Sequence, residues 1–176
     1  MKRFFFFLTS CLLIIGILYC VLFIRPYRVL GDSMAPMLQN NTLILLDTLQ
    51  ARIGTIQRGN IIVYIHEDRT PKIKRVLGIE KEVLVIRDGG IYLNEKKISE
   101  PYLNQNIRTC VPGSCTDLSP KIFTVPKNAY FILGDNRENS RDSRGCTDAI
   151  SCDTQNTYYV SREDLIGKYL FQLPSF

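Results

Sequence analysis

The chain has 176 residues, room for one domain and an N-terminal appendage. Its net charge of +5 comes from 22 basic residues scattered among 17 acidic ones. A nucleic-acid binder concentrates its basic residues on one face, so that class is excluded as an expectation.

Residues 4–24 carry no charge. That length crosses a hydrocarbon core about 30 Å thick. Lys2 and Arg3 precede the stretch. Positive residues before a first span favour a cytoplasmic N-terminus and send the rest of the chain outward. Arg25 and Arg28 weaken that bias without cancelling it. A cleaved secretory signal ends in small residues, whereas residues 21–27 are bulky or charged. Leu18 and Tyr19 before Cys20 do not fit a lipoprotein site. The segment reads as an uncleaved signal anchor. It divides the chain into 1–25, in the bilayer, and an extracytoplasmic region, 26–176. Basic surface near the anchor can touch anionic headgroups.

Beyond the anchor the pattern is β. Residues 42–47, 60–66, 72–77 and 83–86 are short runs rich in Ile, Val and Leu, most of them bounded by turn residues. Arg87-Asp88-Gly89-Gly90 signals a hairpin into 91–94. Residues 121–125, 129–133 and 165–171 complete the set. No later window sustains a long 3.6-residue apolar period. The predicted fold class is mainly β, one β-rich domain after one transmembrane helix. Residues 104–120 and 134–157 read as loops, and long loops of this kind are usually functional or disordered.

Cys11 and Cys20 sit in the anchor as apolar fillers. Cys110 with Cys115, and Cys146 with Cys152, form two close pairs. In an oxidising compartment they suit local disulfides, although four cysteines allow three connectivities. The spacings exceed those of a zinc knuckle, and no histidine is near. No metal and no cofactor is expected.

Ser33 lies in a Gly31-Asp32-Ser33 turn nine residues past the anchor. A serine there can project its hydroxyl while its own amide helps to form an oxyanion hole. A serine nucleophile needs a base. The only histidine, His66, is followed by charged residues and reads as a surface side chain. Lysine can substitute when burial disfavours its ammonium form. Lys74, in Ile73-Lys74-Arg75-Val76-Leu77, has apolar neighbours, and alternation points it opposite Ile73 and Arg75. The loop 134–144 is dense in polar groups. Asp142 can pair with Arg144 or with Arg75, and Asn136, Asn139 and Ser140 can supply hydrogen bonds.

These segments together resemble the type I signal peptidases, membrane-anchored Ser/Lys proteases. Gly31-Asp32-Ser33-Met34-Ala35-Pro36 resembles the nucleophile motif. Arg58-Gly59-Asn60-Ile61-Ile62-Val63-Tyr64 resembles the strand lining the substrate cleft, and Lys74-Arg75-Val76-Leu77-Gly78 the general-base motif. Gly134-Asp135-Asn136-Arg137, followed by Asn139-Ser140-Arg141-Asp142-Ser143-Arg144, resembles the family's second polar motif. Lesser agreements include Glu100-Pro101-Tyr102-Leu103. The similarity spans about residues 26–171.

The resemblance implies an antiparallel β-sheet catalytic domain in which Ser33 attacks the scissile carbonyl, Lys74 is the general base, and Ser140 orients the lysine amine. It implies a supporting set of Arg75, Asp135, Asn136, Asp142 and Arg144. Met34, Pro36, Ile62 and Tyr64 become candidates to line the substrate cleft. The implied substrates are signal peptides of exported preproteins. They would bind extended, with small side chains one and three residues before the cut. The implied site faces outward from the cytoplasmic membrane. The chain departs from the family pattern at Gly31, Met37, Asn60, Glu138 and across residues 78–82. Two other readings are a Ser/Lys protease dedicated to one substrate system, and a non-catalytic anchored β-domain.

Overall fold

The computed structural model describes residues 2–65, 69–104, 106–111, 119–145 and 159–174. Helix α1, Lys2–Phe23, covers nearly all of the uncharged stretch and buries none of its side chains. At 1.5 Å per residue it is about 33 Å long, long enough to cross a bilayer. Its composition also meets that requirement.

The chain leaves α1 directly into strand β1, Ile24–Arg28. This strand pairs antiparallel with β2, Leu43–Asp47, and forms one edge of a seven-stranded sheet. Pro26, which cannot donate to a ladder, is tolerated at such an edge. Helix α2, Thr48–Ile53, follows at once. Asp47 caps it by accepting from the Gln50 amide. The same carboxylate accepts from the Tyr19 hydroxyl of α1 at 2.5 Å. Thr48 Oγ1 donates to Phe23 O at 3.0 Å. The anchor is thus tied to the domain by two hydrogen bonds.

Strands β3, Ile61–Ile65, and β4, Pro71–Gly78, pair antiparallel, with Lys74 opposite Ile62 and Arg75 opposite Ile61. Strand β5, Val83–Arg87, turns into β6, Gly90–Leu93. The turn residues Asp88 and Gly89 have φ of 51° and 72°. Two positive central angles are what a tight two-residue hairpin needs. Strands β7, Lys96–Lys97, and β8, Lys121–Thr124, complete a second sheet in the order β7-β6-β5-β8. Strands β9, Ala129–Leu133, β10, Val160–Ser161, and β11, Leu165–Gln172, finish the larger sheet. Its order is β1-β2-β11-β3-β4-β9-β10. Every strand pair is antiparallel. The expected mainly β class is what the chain forms.

Three apolar clusters fill the domain. Alternation along β3 feeds two of them. Ile61 and Val63 pack with Met34, Leu38 and Ile73 beside the Ser33 turn. Ile62 and Tyr64 point the other way, into a cluster with Ala51, Ile56, Val76 and Ile132. The third cluster joins the two sheets through Leu77, Leu84, Ile91, Phe123 and Phe131.

Cys110 is disulfide-bonded, whereas Cys11 and Cys20 are free thiols. Cys115, Cys146, Cys152 and His66 lie outside the described residues.

Candidate active site

Two motifs far apart in sequence meet beside the middle of β4. The turn after β1 carries Ser33, and Gly31 opens it with φ of +84°, a backbone that side chains strain to adopt. The Gly31 amide donates to Asn40 Oδ1 at 2.9 Å. Asn40 carried no signal of this role. Below the turn, Met34 is fully buried in its cluster and anchors the segment, whereas Pro36 is exposed.

Lys74 reaches the turn from β4. Its Nζ donates to Ser33 Oγ at 2.7 Å and to Ile73 O at 2.9 Å. Lys74 is 4% exposed. Burial pushes its amine down from the ordinary 10.5 to about 8. Lys72 and Arg144 act in the same direction, and the carboxylates of Asp142 and Asp135 oppose it. A shift of this size means that the site disfavours the ammonium by about 3 kcal/mol relative to water. A useful fraction of neutral amine therefore exists near neutral pH, with its lone pair beside the serine hydroxyl. The Ser33 amide makes no hydrogen bond among the described residues and stays available to a developing oxyanion.

The second polar motif follows β9 and closes over the turn. The Asn136 amide donates to Ser33 O at 3.0 Å, and Asn136 Nδ2 donates to Asp32 O at 3.1 Å. Gly134 leaves room for this approach. A Cβ there would lie 2.5 Å from Ser33 O and 2.2 Å from Ser140 Oγ.

Two buried ion pairs hold this loop. Arg75 binds both oxygens of Asp135, at 2.8 and 2.6 Å, and donates to Gly59 O at 2.8 Å. Arg144 binds both oxygens of Asp142, at 2.8 and 2.9 Å. Asp142 also accepts from the Gly134 amide at 3.0 Å. Of the two pairings open to Asp142, the one with Arg144 forms and the one with Arg75 is corrected. Asp135 lies nearer β4 in the strand register and takes Arg75, while Asp142 turns back on Arg144.

Two further expectations are corrected. Ser140 is 2% exposed, yet among the described residues its hydroxyl has no hydrogen-bond partner and does not reach Lys74. Ser33 and the Ile73 carbonyl already take the lysine amine. Ile62 and Tyr64 are 0% and 1% exposed and fill the core behind the sheet. On β3 it is Ile61 and Val63 that share the cluster of Met34 and Ile73 next to the serine.

Sequence reasoning missed a third buried pair. Arg137 meets Glu100, with Nη1 to Oε2 at 3.2 Å and a further contact from Nη2 to Oε1. Thr109 Oγ1 also accepts from Arg137. Glu100-Pro101-Tyr102 was visible only as a segment of family resemblance, with no sign of its cation. Among the described residues no group of three or more His, Cys, Asp or Glu is placed to hold a metal.

The family model "Signal peptidase, peptidase S26" matches residues 1–173. Signal peptidase IB of Staphylococcus aureus (strain Mu50 / ATCC 700699) is 30% identical over 152 residues, 78% of this chain and 80% of that one. Signal peptidase I U of Bacillus subtilis (strain 168) is 33% identical over 139 residues, 77% of this chain and 74% of that one. A crystal structure of a signal peptidase I from Enterococcus faecalis V583 is 27% identical, with a TM-score of 0.47, and the match covers 66% of this chain and 97% of that one. On the family model and the two sequence relatives, the chain belongs to the signal peptidase family, peptidase S26, and is a serine peptidase of the class that removes signal peptides.

Proposed function

We propose that Ser33 and Lys74 carry the cleavage as a dyad. The contact from Lys74 Nζ to Ser33 Oγ, made by a buried amine, is the observation that supports this most strongly. With the amine neutral, the hydroxyl donates its proton to Nζ as Oγ attacks the scissile carbonyl carbon. The C–O bond forms, and the carbonyl oxygen becomes an oxyanion facing the Ser33 amide. Collapse breaks the C–N bond, and the Lys74 ammonium returns its proton to the leaving amine. Water then takes the amine's place. Its proton goes to Lys74, its oxygen attacks the acyl carbon, and Ser33 leaves reprotonated.

The substrate segment enters extended along β4. Strand β9 pairs with β4 only at Arg75, Val76 and Gly78. The ladder on that side therefore stops one residue short of Lys74, where Ile73 lies beside the serine. A preprotein segment added there would present its carbonyl to Ser33 and its alternate side chains to the cluster of Met34, Ile61 and Ile73. Small side chains fit a surface closed by buried apolar groups.

The protein is anchored by α1, with residues 1–25 in and below the bilayer and residues 26–176 outside. Lys2 and Arg3 favour the cytoplasmic N-terminus. A disulfide at Cys110 suits an oxidising outer face.

Full-length protein in phospholipid vesicles, given a model preprotein, tests the reading. A single cut is expected, and the new N-terminus of the larger fragment, read by sequencing, follows a small residue with a second small residue two positions earlier. Cleavage at basic or bulky residues, or none, would overturn it.

A further inference from the structure

Two arginines bracket the loop of Asp135. Arg75 comes from β4 and grips the Asp135 carboxylate. Arg137 comes from within the loop and donates Nε to Gly134 O at 3.0 Å. Neither guanidinium hydrogen-bonds Ser33 or Lys74 among the described residues.

Both arginines meet one short turn that belongs to neither motif. Leu103 N donates to Glu100 O at 3.0 Å and closes that turn. The ring of Tyr102 lies over Arg75, its centroid 3.8 Å from Cζ. The Tyr102 hydroxyl donates to Glu100 Oε1 at 2.7 Å. The Glu100 carboxylate, whose side chain is 10% exposed, also holds Arg137. One carboxylate is therefore shared by a phenol and a guanidinium, and the phenol's ring faces the second guanidinium.

We infer that Glu100 and Tyr102 are positioning residues for the catalytic pair, one clamp on the two arginines that hold the Asp135 loop against the Ser33 turn. The inference rests on Ser33 and Lys74 being the reacting groups.

The physical chain is short. A ring over a guanidinium attracts it and excludes water from one face. An ion pair kept from water is held more firmly than one that is wet. Arg75 is otherwise occupied by Asp135, Gly59 O and Met37 Sδ, so the ring covers an open face. Asp135 in turn is followed by Asn136, whose amide and side chain hold the Ser33 and Asp32 carbonyls. Loosening Arg75 would release what fixes the nucleophile turn.

A distinctive electrostatic consequence follows. The charged groups acting on Lys74 are Asp142, Lys72, Asp135 and Arg144. Arg75 neutralises Asp135 at 2.6 Å. Without the Tyr102 ring, water enters and Asp135 is less fully paired. Both effects favour the Lys74 ammonium. The pH at which the base becomes neutral should rise. A residue that only supports the fold would lower the active fraction equally at every pH.

The test uses full-length protein in vesicles and a preprotein peptide, with kcat and KM measured across the pH range. Tyr102→Leu is expected to raise the midpoint of kcat/KM by about half a unit or more. It should lower kcat near neutral pH about tenfold with KM within about twofold, as for a group acting on the transition state. Tyr102→Phe keeps the ring and should restore the wild-type midpoint. Glu100→Gln should lower kcat without raising KM. If Tyr102→Leu does not fold, Tyr102→Met is judged by the same criterion. A wild-type midpoint and kcat in the Leu or Met variant, or an equal loss at every pH, overturns the clamp. Ser33→Ala in the same assay separates the two claims. If it still cleaves, the dyad is wrong; if it is inactive while the Tyr102 variants track wild type, only the clamp is wrong.

Discussion

Ser33→Ala is expected to lower kcat by more than about 10⁴-fold, the scale on which a covalent nucleophile matters. The fold should survive. Among the described residues the Ser33 hydroxyl meets one partner, Lys74, whereas the turn is held by its backbone. Ser33 O accepts from Asn136, Asp32 O accepts from Ala35, and Met34 O accepts from Leu38. None of these needs the hydroxyl. The variant should therefore melt within a few degrees of wild type while releasing no product. Preprotein binding should persist, because the β4 edge and the apolar cluster are untouched. Cleavage at more than a hundredth of the wild-type rate would place the nucleophile elsewhere.

Lys74→Met is the second large effect, and it has two signs. Activity should fall by about 10²–10⁴-fold or more, the usual weight of a general base. Combining it with Ser33→Ala should cost nothing further, since the two act as a unit. Stability should rise. The site disfavours the Lys74 ammonium, and methionine fills a similar volume without a charge to desolvate. The sign follows from proton counting. Between the folded value of about 8 and the ordinary 10.5, the unfolded chain holds a proton that the folded chain does not. Wild-type stability from this group therefore increases with pH across that window. The advantage of methionine is greatest below about pH 8 and fades toward about pH 10.5. Denaturant midpoints at neutral and alkaline pH check this. A variant less stable than wild type at neutral pH would show that the amine's two hydrogen bonds outweigh its desolvation.

Much of the fold was legible because its strands are short apolar runs between turn residues. Residues 129–133 were read to the residue, and the hairpin at Asp88-Gly89 was fixed by turn chemistry. Several elements were not. Strand β1 follows the anchor without a break, so its Ile24-Arg25-Pro26-Tyr27-Arg28 carries no boundary of its own. Helix α2 has six residues, too few for a helical period to emerge. Strand β10 has two residues and exists only as a partner for β9.

The site divides in the same way. Ser33 and Lys74 were legible because a serine turn and an apolar-flanked lysine leave local traces. The ion pairs were not. Arg75 and Asp135 are 60 residues apart in sequence, and Asp142 was an equally good partner until the loop closed. Ile62 and Tyr64 were placed on the wrong side of β3. That strand is buried on both faces, so apolar residues at every position hide which face meets the serine. Glu100 and Tyr102 act only through the arginines they hold, and nothing in their own segment names those partners.

The dyad is tested most directly by the pH dependence of kcat/KM for wild-type protein, because it reports the base of the free enzyme. The account predicts a rise of unit slope that levels off above a midpoint of about 8, set by a buried Lys74 amine. A flat profile from roughly pH 5 to 9, or a midpoint near the ordinary histidine value of about 6.5, would contradict a lysine base.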